Sequence, residues 1–246
     1  MFVIPMAGMS SRFTKAGYTK PKYMLDLKGS PLFDYCITSF KAYFKTDAFL
    51  FIARSEAETE AFIRQRCAEL GIEKFEIIIL DSPTQGQAET VALGLNQATI
   101  GDDSGITIFN IDTIRKNYQH PVDIIAESSG FLEVFSGEGD NWSFAALEHE
   151  ESNRVVRTTE KDPISQWCST GLYYFSSKQA YLDLFRIYSE TEASRCGGGE
   201  YYIAPMYNLL IANEQVVNVN KITASEVLFS GIPSEYEALK SQSISL

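Results

Sequence analysis

The chain has 246 residues, of which 45% are hydrophobic, and a formal net charge of −11. That apolar fraction supports a sizeable buried core and excludes a disordered chain, while the acidic balance argues against a broad nucleic-acid surface, because such surfaces need basic patches. No apolar run reaches the roughly 20 residues that span a bilayer, and the N-terminus lacks the regions of a signal peptide. We therefore expect a cytoplasmic protein that binds neither membranes nor nucleic acids.

The cysteines and histidines give little support to metal-thiolate or covalent chemistry. The four cysteines, which show no Cys-x-x-Cys spacing, are Cys36, Cys67, Cys168 and Cys196. We expect them to be small buried side chains rather than zinc ligands or disulfide partners. The two histidines are His120 and His149, and the sequence has no serine-elbow motif, although a histidine in a pocket stays open.

The first half of the chain alternates strand-like and helix-like segments. Strands are predicted from Phe2 and over residues 47–53, 75–80 and 105–111, and helices over residues 31–44, 56–70 and 87–97. The second helix should stop at Gly71. This alternation predicts an α/β fold, a Rossmann-like, doubly wound sheet with a parallel core.

The second half begins with short apolar runs that have no helices between them. Strands are predicted over residues 123–127, 131–135, 142–147, 155–158 and 169–175, then a helix over 177–188, a mobile glycine loop over 196–199, a helix over 203–212, a strand over 216–221 and a helix over 233–240. The runs indicate an antiparallel addition to the sheet. Because the sequence has no long low-complexity linker, the second half should pack on the first.

A candidate phosphate site follows the first strand. Its small residues would present backbone N–H groups at the strand's carboxyl end, and Arg12 and Lys22 would add positive charge. The alternative is an ordinary strand followed by a solvated basic loop. The candidate nucleotide-binding residues of this turn are Met6, Ala7, Gly8, Met9, Ser10 and Ser11.

The same stretch, Ala7-Gly8-Met9-Ser10-Ser11-Arg12-Phe13 with Pro21-Lys22, resembles the Ala-Gly-x-Gly-x-Arg-Phe and Pro-Lys opening of the sugar-phosphate nucleotidyltransferases. The resemblance runs nearly end to end. It implies one Rossmann-like, GT-A-type domain over residues 1–246, with a nucleotide-binding half at 1–115 and an acceptor-binding half at 116–246. It also implies that Arg12 holds the pyrophosphate leaving group and that Lys22 contacts the α-phosphate or the incoming phosphate. Ser10 replaces the second glycine, which is a mild change if its φ stays negative.

Residues 82–91 resemble the base-reading loop of that family. The candidate contacts are Gln85, Gly86, Gln87 and Ala88. A glutamine amide offers the paired donor and acceptor that reading a base edge requires, and glycine permits close backbone approach. An ordinary loop in which Gln87 caps the following helix is the alternative.

Asp112 ends the segment Phe109-Asn110-Ile111-Asp112-Thr113, which resembles an Asp-containing metal motif of the family. Magnesium prefers oxygen ligands and commonly takes one or two carboxylates together with substrate phosphates, so the resemblance implies Mg²⁺ at Asp112. A helix N-cap is the alternative, since an Asp after a buried strand often serves that purpose.

Three further segments resemble acceptor-side motifs of the family. Glu160 and Lys161 would hold acceptor hydroxyls and phosphate, or else form a surface ion pair. Gly171 lies in a Gly-x-Tyr-x-Phe-like strand. Glu200 precedes Tyr201 and Tyr202, and the alternative is that these two tyrosines pack as core or interface aromatics.

The closing segment at residues 229–236 departs most from the family pattern, Asp-x-Gly-Thr-Pro-x-Asp-Tyr. Phe229 stands where many relatives have a second metal-binding aspartate. Asp112 would then act with substrate oxygens and water, or another carboxylate, such as Glu226 or Glu200, would reach the ion.

Together, these likenesses imply an enzyme that transfers a nucleoside monophosphate from a nucleoside triphosphate to a small phosphorylated acceptor with release of pyrophosphate. Residues 84–91 and 110–113 are similar to small capsule-linked cytidylyltransferases, which implies CTP and a role in cell-surface polysaccharide precursors. Uridylyl and thymidylyl transfer to a sugar 1-phosphate stay open, as do a non-catalytic nucleotide-binding module and self-association. A glycosyltransferase would need an Asp-x-Asp motif, which this sequence lacks.

Overall fold

The computed structural model describes residues 1–56, 58–191 and 199–244. The strands in chain order are β1 (Phe2–Met6), β2 (Asp26–Leu27), β3 (Ser30–Pro31), β4 (Ala48–Arg54), β5 (Lys74–Leu80), β6 (Ile106–Phe109), β7 (Thr113–Arg115), β8 (Gly130–Ser136), β9 (Ser143–Leu147), β10 (Val155–Glu160), β11 (Trp167–Phe175), β12 (Val217–Ile222) and β13 (Val227–Phe229). The α-helices are α1 (Ser11–Lys15), α2 (Leu32–Thr38), α3 (Thr59–Leu70), α4 (Gln87–Gln97), α5 (Val122–Glu127), α6 (Lys178–Ser189), α7 (Tyr207–Ala212) and α8 (Pro233–Ser241).

A nine-stranded mixed sheet forms the centre of the fold. β1 lies between β4 and β6 and runs parallel to both, and β5 adds a further parallel strand at the edge. β11 pairs antiparallel with β6 and with β8, and the antiparallel pair β9–β10 extends the sheet beyond it. The prediction of a parallel core with an antiparallel addition is therefore confirmed.

Alternate residues of β1 enter two hydrophobic cores on opposite faces of the sheet. Val3 packs with residues of α4 and α6 on one face, while Phe2 and Ile4 pack with residues of α2 and α3 on the other. Strands covered on both faces read as continuous apolar runs, which is why β1 and β4 were recognisable from sequence.

Two glycines have separate roles in this packing, since one ends a helix and the other permits a close contact. Gly71 ends α3 in the left-handed region at φ 76, as predicted, and its N–H donates to Ala68 O over 3.2 Å. Gly94 lies in the middle of α4, where any Cβ would meet the side chain of Ile52. The helix can therefore approach β4 closely.

One predicted strand, residues 123–127, is wrong, because α5 (Val122–Glu127) occupies it. Pro121 precedes the helix, Asp123 lies in its first turn, and only Ile124 and Ile125 turn towards the protein. Two adjacent half-buried residues between exposed ones fit one face of a single helical turn as well as they fit a strand.

Other differences concern short elements. The predicted helix over residues 31–44 divides into α2 and a 3₁₀ helix at Lys41–Tyr43, and the helix over 203–212 begins with a 3₁₀ turn at Ala204–Met206. The small pairs β2–β3 and β7–β13 were not predicted. Within the predicted glycine loop, residues 196–198 lie outside the described residues.

Cys36, Cys67 and Cys168 are free and buried, as predicted, and Cys196 lies outside the described residues. Burial raises the pKa of the Cys67 thiol to about 12 and that of Cys168 to about 11. Across the described ranges, no helix is both long enough and apolar enough to cross a bilayer.

Candidate active site

Two neighbouring cavities lie where β1 and β6 end. The first, here called the N-terminal cavity, has a volume of 480 Å³ and is walled by the turn at residues 5–11, by Lys22 and by the loop before α4. The second, here called the wide cavity, has a volume of 690 Å³ and is walled by Arg12 and by residues of β9, β10 and β11. Gln87, Asn110 and Asp112 line both, so they form the boundary between the two.

All six predicted residues of the first turn, Met6 to Ser11, line the N-terminal cavity. Ser10 differs from expectation, because its φ is +49 and its backbone is left-handed. A non-glycine residue in this region costs about 1–2 kcal/mol. Part of the compensation is visible, since the Ser10 hydroxyl accepts a hydrogen bond from the Lys22 N–H over 3.3 Å. The hydroxyl that a glycine lacks thus ties the turn to the segment carrying Lys22.

Lys22 and Asp112 form a salt bridge at the boundary of the cavities. The ammonium of Lys22 donates to Oδ2 of Asp112, and both side chains are about one-fifth exposed, at 19% and 21%. Arg12, which is exposed, lines a recess of 230 Å³ together with Lys22 and Asp112. The structure therefore brings together the two predicted phosphate-binding cations and the predicted metal ligand.

The backbone of Asp112 is fixed by the C-terminal segment. Ser230 is fully buried and donates to the Asp112 carbonyl from both its N–H, over 2.8 Å, and its hydroxyl, over 2.7 Å. The strand β7 begins at the next residue, Thr113. The alternative that Asp112 caps a helix is therefore wrong.

The loop before α4 is fixed by the backbone of Tyr201. The Tyr201 N–H donates to Gln85 O over 2.7 Å, and its carbonyl accepts from the Ala88 N–H over 3.0 Å. Gly86, at φ +141, lies between these bonds, and a Cβ there would stand 2.5 Å from the Tyr201 nitrogen and oxygen. No other residue type fits this position without a backbone shift.

Gln87 does not cap its helix. Its side-chain amide donates to Oδ1 of Asn110, so the amide is oriented at the boundary of the cavities. Gly86 and Gln87 line the N-terminal cavity, whereas the other two predicted base-loop residues, exposed Gln85 and buried Ala88, line neither cavity.

The four predicted acceptor residues separate. Glu160 and Gly171 line the wide cavity, and Glu200 lines the N-terminal cavity. Lys161 lines neither, because its ammonium donates to the Tyr202 hydroxyl over 2.6 Å and lies 4.7 Å from the centre of that ring. The Tyr202 hydroxyl donates in turn to Glu200 over 2.6 Å, so Lys161 and Glu200 are linked through one tyrosine.

Glu160 is largely buried at the floor of the wide cavity. The Ser143 hydroxyl donates to its carboxylate and lies 3.3 Å from the Tyr173 hydroxyl. Burial raises the pKa of Glu160 above its ordinary value, and burial likewise raises the pKa of Tyr173 to about 12. Glu160 does not pair with Lys161 at the surface, because its partner is Ser143.

The proposed substitute carboxylates also separate. Glu226 accepts from the N–H and hydroxyl of Thr223, each over 2.9 Å, and pairs with Arg115. Glu200 lines the N-terminal cavity together with Asp112. Glu235 was missed. A Cβ at Gly231 would stand 3.3 Å from Oδ2 of Asp112 and 3.7 Å from Oε2 of Glu235, so the two carboxylates flank one position. The sequence did contain a signal for Glu235, because it precedes Tyr236 at the position where the family pattern has aspartate.

Phe229 has an aromatic environment where a metal-binding aspartate was expected. Its ring lies 4.7 Å from Trp142 and 5.6 Å from Phe135, measured between ring centres. Phe229 and Trp142 line the wide cavity, as does Asn110. Trp142 belongs to a predicted strand and Asn110 to a quoted motif, but neither had a sequence signal that assigned it to the site.

The family model described as "Nucleotidyl transferase" matches residues 3–200. A Vibrio cholerae RC9 protein described as a nucleoside-diphosphate-sugar pyrophosphorylase is 49% identical, over 98% of this chain and 100% of its own, with a TM-score of 0.94. Two more distant structures share the fold. They are a putative glucose-1-phosphate thymidylyltransferase from Bacillus anthracis (16% identity, 100% and 97% covered, TM-score 0.75) and the inositol-1-phosphate CTP transferase from T. maritima (11%, 100% and 97%, 0.72).

The comparison with curated proteins gave no match. The family model nevertheless covers well over half of the chain, and its matched residues include the first turn, Lys22, the loop before α4 and Asp112. The matched range thus contains the residues that line the N-terminal cavity. The chain therefore belongs to the nucleotidyl transferase family.

Proposed function

We propose that this enzyme transfers CMP from CTP to a small phosphorylated acceptor and releases pyrophosphate, with Mg²⁺, in the cytoplasm during synthesis of cell-surface polysaccharide precursors. The observation that carries the proposal is the boundary formed by Gln87, Asn110 and Asp112 between two cavities. A transfer between two bound substrates requires that their reacting groups meet. Substrates bound in the two cavities would meet at this shared boundary.

The positions of the cations fit an in-line phosphoryl transfer. In such a transfer the enzyme mainly orients the reactants and neutralises charge on the phosphate oxygens. In the proposed transfer, Lys22 contacts the α-phosphate or the incoming phosphate. Arg12, which lines the adjoining recess, holds the departing pyrophosphate. Each cation acts by holding oxygen atoms, so no protein nucleophile is required.

The donor set at Asp112 suits magnesium. The residues described contain no group of three or more His, Cys, Asp or Glu side chains that could hold an ion among themselves. Mg²⁺ commonly takes one or two carboxylates and completes its shell with phosphate oxygens and water. Asp112 would hold it, with Glu235, which flanks Gly231 together with Asp112, as a further carboxylate. A bound Mg²⁺ would supply charge neutralisation for the phosphates, while Lys22 keeps its own contact with Asp112.

The choice of CTP rests on the small polar groups that face the N-terminal cavity. Gln87 and Asn110 hold each other's amides in fixed orientation, which suits recognition of a pyrimidine edge by paired donors and acceptors. Among the distant fold relatives, one is described as a CTP transferase and another as a thymidylyltransferase. UTP and dTTP, the other pyrimidine triphosphates, stay the main competitors.

The deciding experiment measures pyrophosphate release with five triphosphates, each combined with a panel of phosphorylated acceptors and with Mg²⁺. The panel contains sugar 1-phosphates, polyol phosphates and phosphorylated amino compounds. We expect release only when both substrates are present, and fastest with CTP. Release that needs a nucleotide sugar instead of a triphosphate would indicate a glycosyltransferase. A protein that binds triphosphates but releases no pyrophosphate with any acceptor would contradict the proposal.

A further inference from the structure

A buried ion pair lies beneath the wide cavity and has no part in the transfer outlined above. Glu133, in β8, is fully buried, and Arg115, in β7, is 5% exposed. The Nε of Arg115 donates to Oε1 of Glu133 over 3.0 Å. Burial raises the pKa of Glu133, and the charge of Arg115 opposes that shift. Such a pair is weak evidence for stability, because well-packed apolar residues often serve equally well.

The Glu133 carboxylate also binds two other strands. The Thr170 hydroxyl, from β11, donates to Oε1 over 3.2 Å, and the Asn220 side-chain amide, from β12, donates to Oε2 over 3.1 Å. Both carboxylate oxygens are therefore occupied. One buried group thus connects β7, β8, β11 and β12.

Thr170 lies in a bulge of β11. Ser169 pairs with Val134, and the next pair joins Tyr173 to Leu132. Between these pairs β11 advances by four residues while β8 advances by two, so β11 has two extra residues. Hydroxyl groups replace the missing strand partners. The Gly171 N–H donates to the Ser169 hydroxyl over 3.1 Å, and the Leu172 N–H donates to the Thr170 hydroxyl over 3.3 Å.

The bulge forms one wall of the active site. Ser169, Thr170 and Gly171 all line the wide cavity. Gly171, at φ +87, packs so closely on the side-chain amide of Asn110 that no Cβ would fit there. Since Asn110 accepts a hydrogen bond from Gln87, the bulge contacts the boundary between the cavities.

Arg115 also contacts the C-terminal segment whose Ser230 binds the Asp112 carbonyl. Its Nη1 lies 3.1 Å from Oε1 of Glu226. Glu226 immediately precedes β13, which is followed by Ser230, the residue that binds the Asp112 carbonyl. The ion pair therefore contacts both the β11 bulge that packs on Asn110 and the C-terminal segment that binds Asp112.

We propose that Glu133 is a positioning residue for the acceptor side of the active site. Its carboxylate, held by Arg115, fixes the Thr170 hydroxyl, and Thr170 fixes the bulge that places Gly171 against Asn110. The role of the bulge in acceptor binding rests on the proposed function. The link from Glu133 through Thr170 to the bulge does not, and it can be tested separately.

The test uses Glu133→Gln, Thr170→Val, Thr170→Ser and the double variant Glu133→Gln/Thr170→Val in the full chain. Gln keeps the shape and removes the charge, Val removes only the hydroxyl, and Ser restores it. The matched control is Asp34→Asn, because Asp34 is 8% exposed and forms an ion pair with Arg66 away from both cavities. Thermal unfolding sets a temperature at which every variant is folded.

Two readouts are measured. With CTP and the acceptor that supports the fastest pyrophosphate release, we expect Glu133→Gln and Thr170→Val each to raise the acceptor KM on the order of tenfold with little change in the CTP KM, as for residues in one hydrogen-bond network. The double variant should be no worse than the poorer single one, and Thr170→Ser should be near wild type. Amide hydrogen exchange over residues 168–173 should accelerate in both single variants and stay normal in Asp34→Asn.

Each contrary result has a defined meaning. Additive KM effects would mean that Thr170 contacts the acceptor independently of Glu133, and equal losses in Asp34→Asn would mean a general stability effect; either overturns the positioning role. If wild-type protein releases no pyrophosphate with any substrate pair, the proposed function fails. Exchange then decides the structural link alone, and unchanged exchange at residues 168–173 in Glu133→Gln would overturn it.

Discussion

The side chain of Lys22 donates its hydrogen bond to the carboxylate of Asp112, although 90 residues separate them in the chain. This contact joins the segment that follows the first turn to the end of β6. Both side chains keep about one-fifth of their surface exposed, so a substrate phosphate can reach them. Because the pair is only partly buried, each partner can be substituted and the effect on folding measured alongside the effect on activity.

Lys22→Ala and Arg12→Ala should each sharply reduce turnover and leave the fold intact. Removing one preorganised charge donor commonly costs about 2.7–4 kcal/mol of transition-state stabilisation, which corresponds to a loss of about a hundredfold or more in kcat. Steady-state pyrophosphate release and thermal unfolding measure the two effects. Lys45→Ala, which removes an exposed lysine outside the site, is the control. A loss of only twofold would mean that the altered cation is a peripheral contact.

Asp112→Asn should abolish magnesium-dependent activity with nearly unchanged thermal stability. The amide cannot supply a charged oxygen ligand, but it can still accept a hydrogen bond from Lys22. The matched control is Asp81→Asn, since Asp81 also follows a parallel strand, β5, and is exposed. Titrating Mg²⁺ against activity of both variants provides the measurement. Wild-type magnesium dependence in Asp112→Asn would remove Asp112 from the proposed metal site.

The sequence predicted the parallel core well because strands buried on both faces and helices with one apolar face have distinct periods. Lys22 and Asp112 were assigned to one site because their segments resemble motifs of the sugar-phosphate nucleotidyltransferases. The sequence did not predict Glu133 as part of a network, because its partners Arg115, Thr170 and Asn220 come from three other strands. Such pairing depends on strand order, which local patterns do not encode.

Gly86→Ala should weaken nucleotide binding and lower stability. The new Cβ would meet the Tyr201 backbone at 2.5 Å, and φ +141 is a conformation that only glycine adopts readily. Gly29→Ala is the matched control, because Gly29 has φ +90 but nothing within 4 Å of an added Cβ. We expect a several-fold rise in the CTP KM for Gly86→Ala alone. Equal behaviour of the two variants would show that backbone strain, and not the Tyr201 contact, dominates.

Glu160→Gln should change how stability depends on pH. Because burial raises the pKa of Glu160, the folded state binds this proton more tightly than the unfolded state. Its stabilising contribution is complete below the ordinary value of 4.5 and is lost as pH rises through the raised pKa. The variant should therefore lose less stability than wild type as pH rises from about 4.5 to neutrality.

Denaturant unfolding across that pH range measures this effect, and Glu148→Gln, at an exposed position, is the control. The same substitution leaves a neutral amide at the floor of the wide cavity, so acceptor KM is measured alongside. Identical pH profiles for Glu160→Gln and wild type would mean that Glu160 is as well solvated in the folded protein as in the unfolded chain.

Gln87 and Asn110 are expected to select the base of the triphosphate. Gln87 and Asn110 are hydrogen-bonded to each other at the boundary of the cavities, so their remaining donors and acceptors have fixed directions. A site of this kind should reject a mispaired base strongly, because buried polar groups would be left without partners. Asn110→Asp should disturb this arrangement while conserving volume, since a carboxylate offers acceptors only.

Competition among all five triphosphates at limiting concentration, scored by pyrophosphate release, should show CTP as the clear winner for wild type. For Asn110→Asp, we expect the discrimination between CTP and UTP to fall about tenfold or more, the scale of one lost hydrogen bond to a charged or polar partner. Asn141→Asp is the control, because Asn141 lines the wide cavity away from the boundary. A wild-type preference for ATP or GTP would refute pyrimidine selection, and unchanged discrimination in Asn110→Asp would assign base recognition to other residues of the N-terminal cavity.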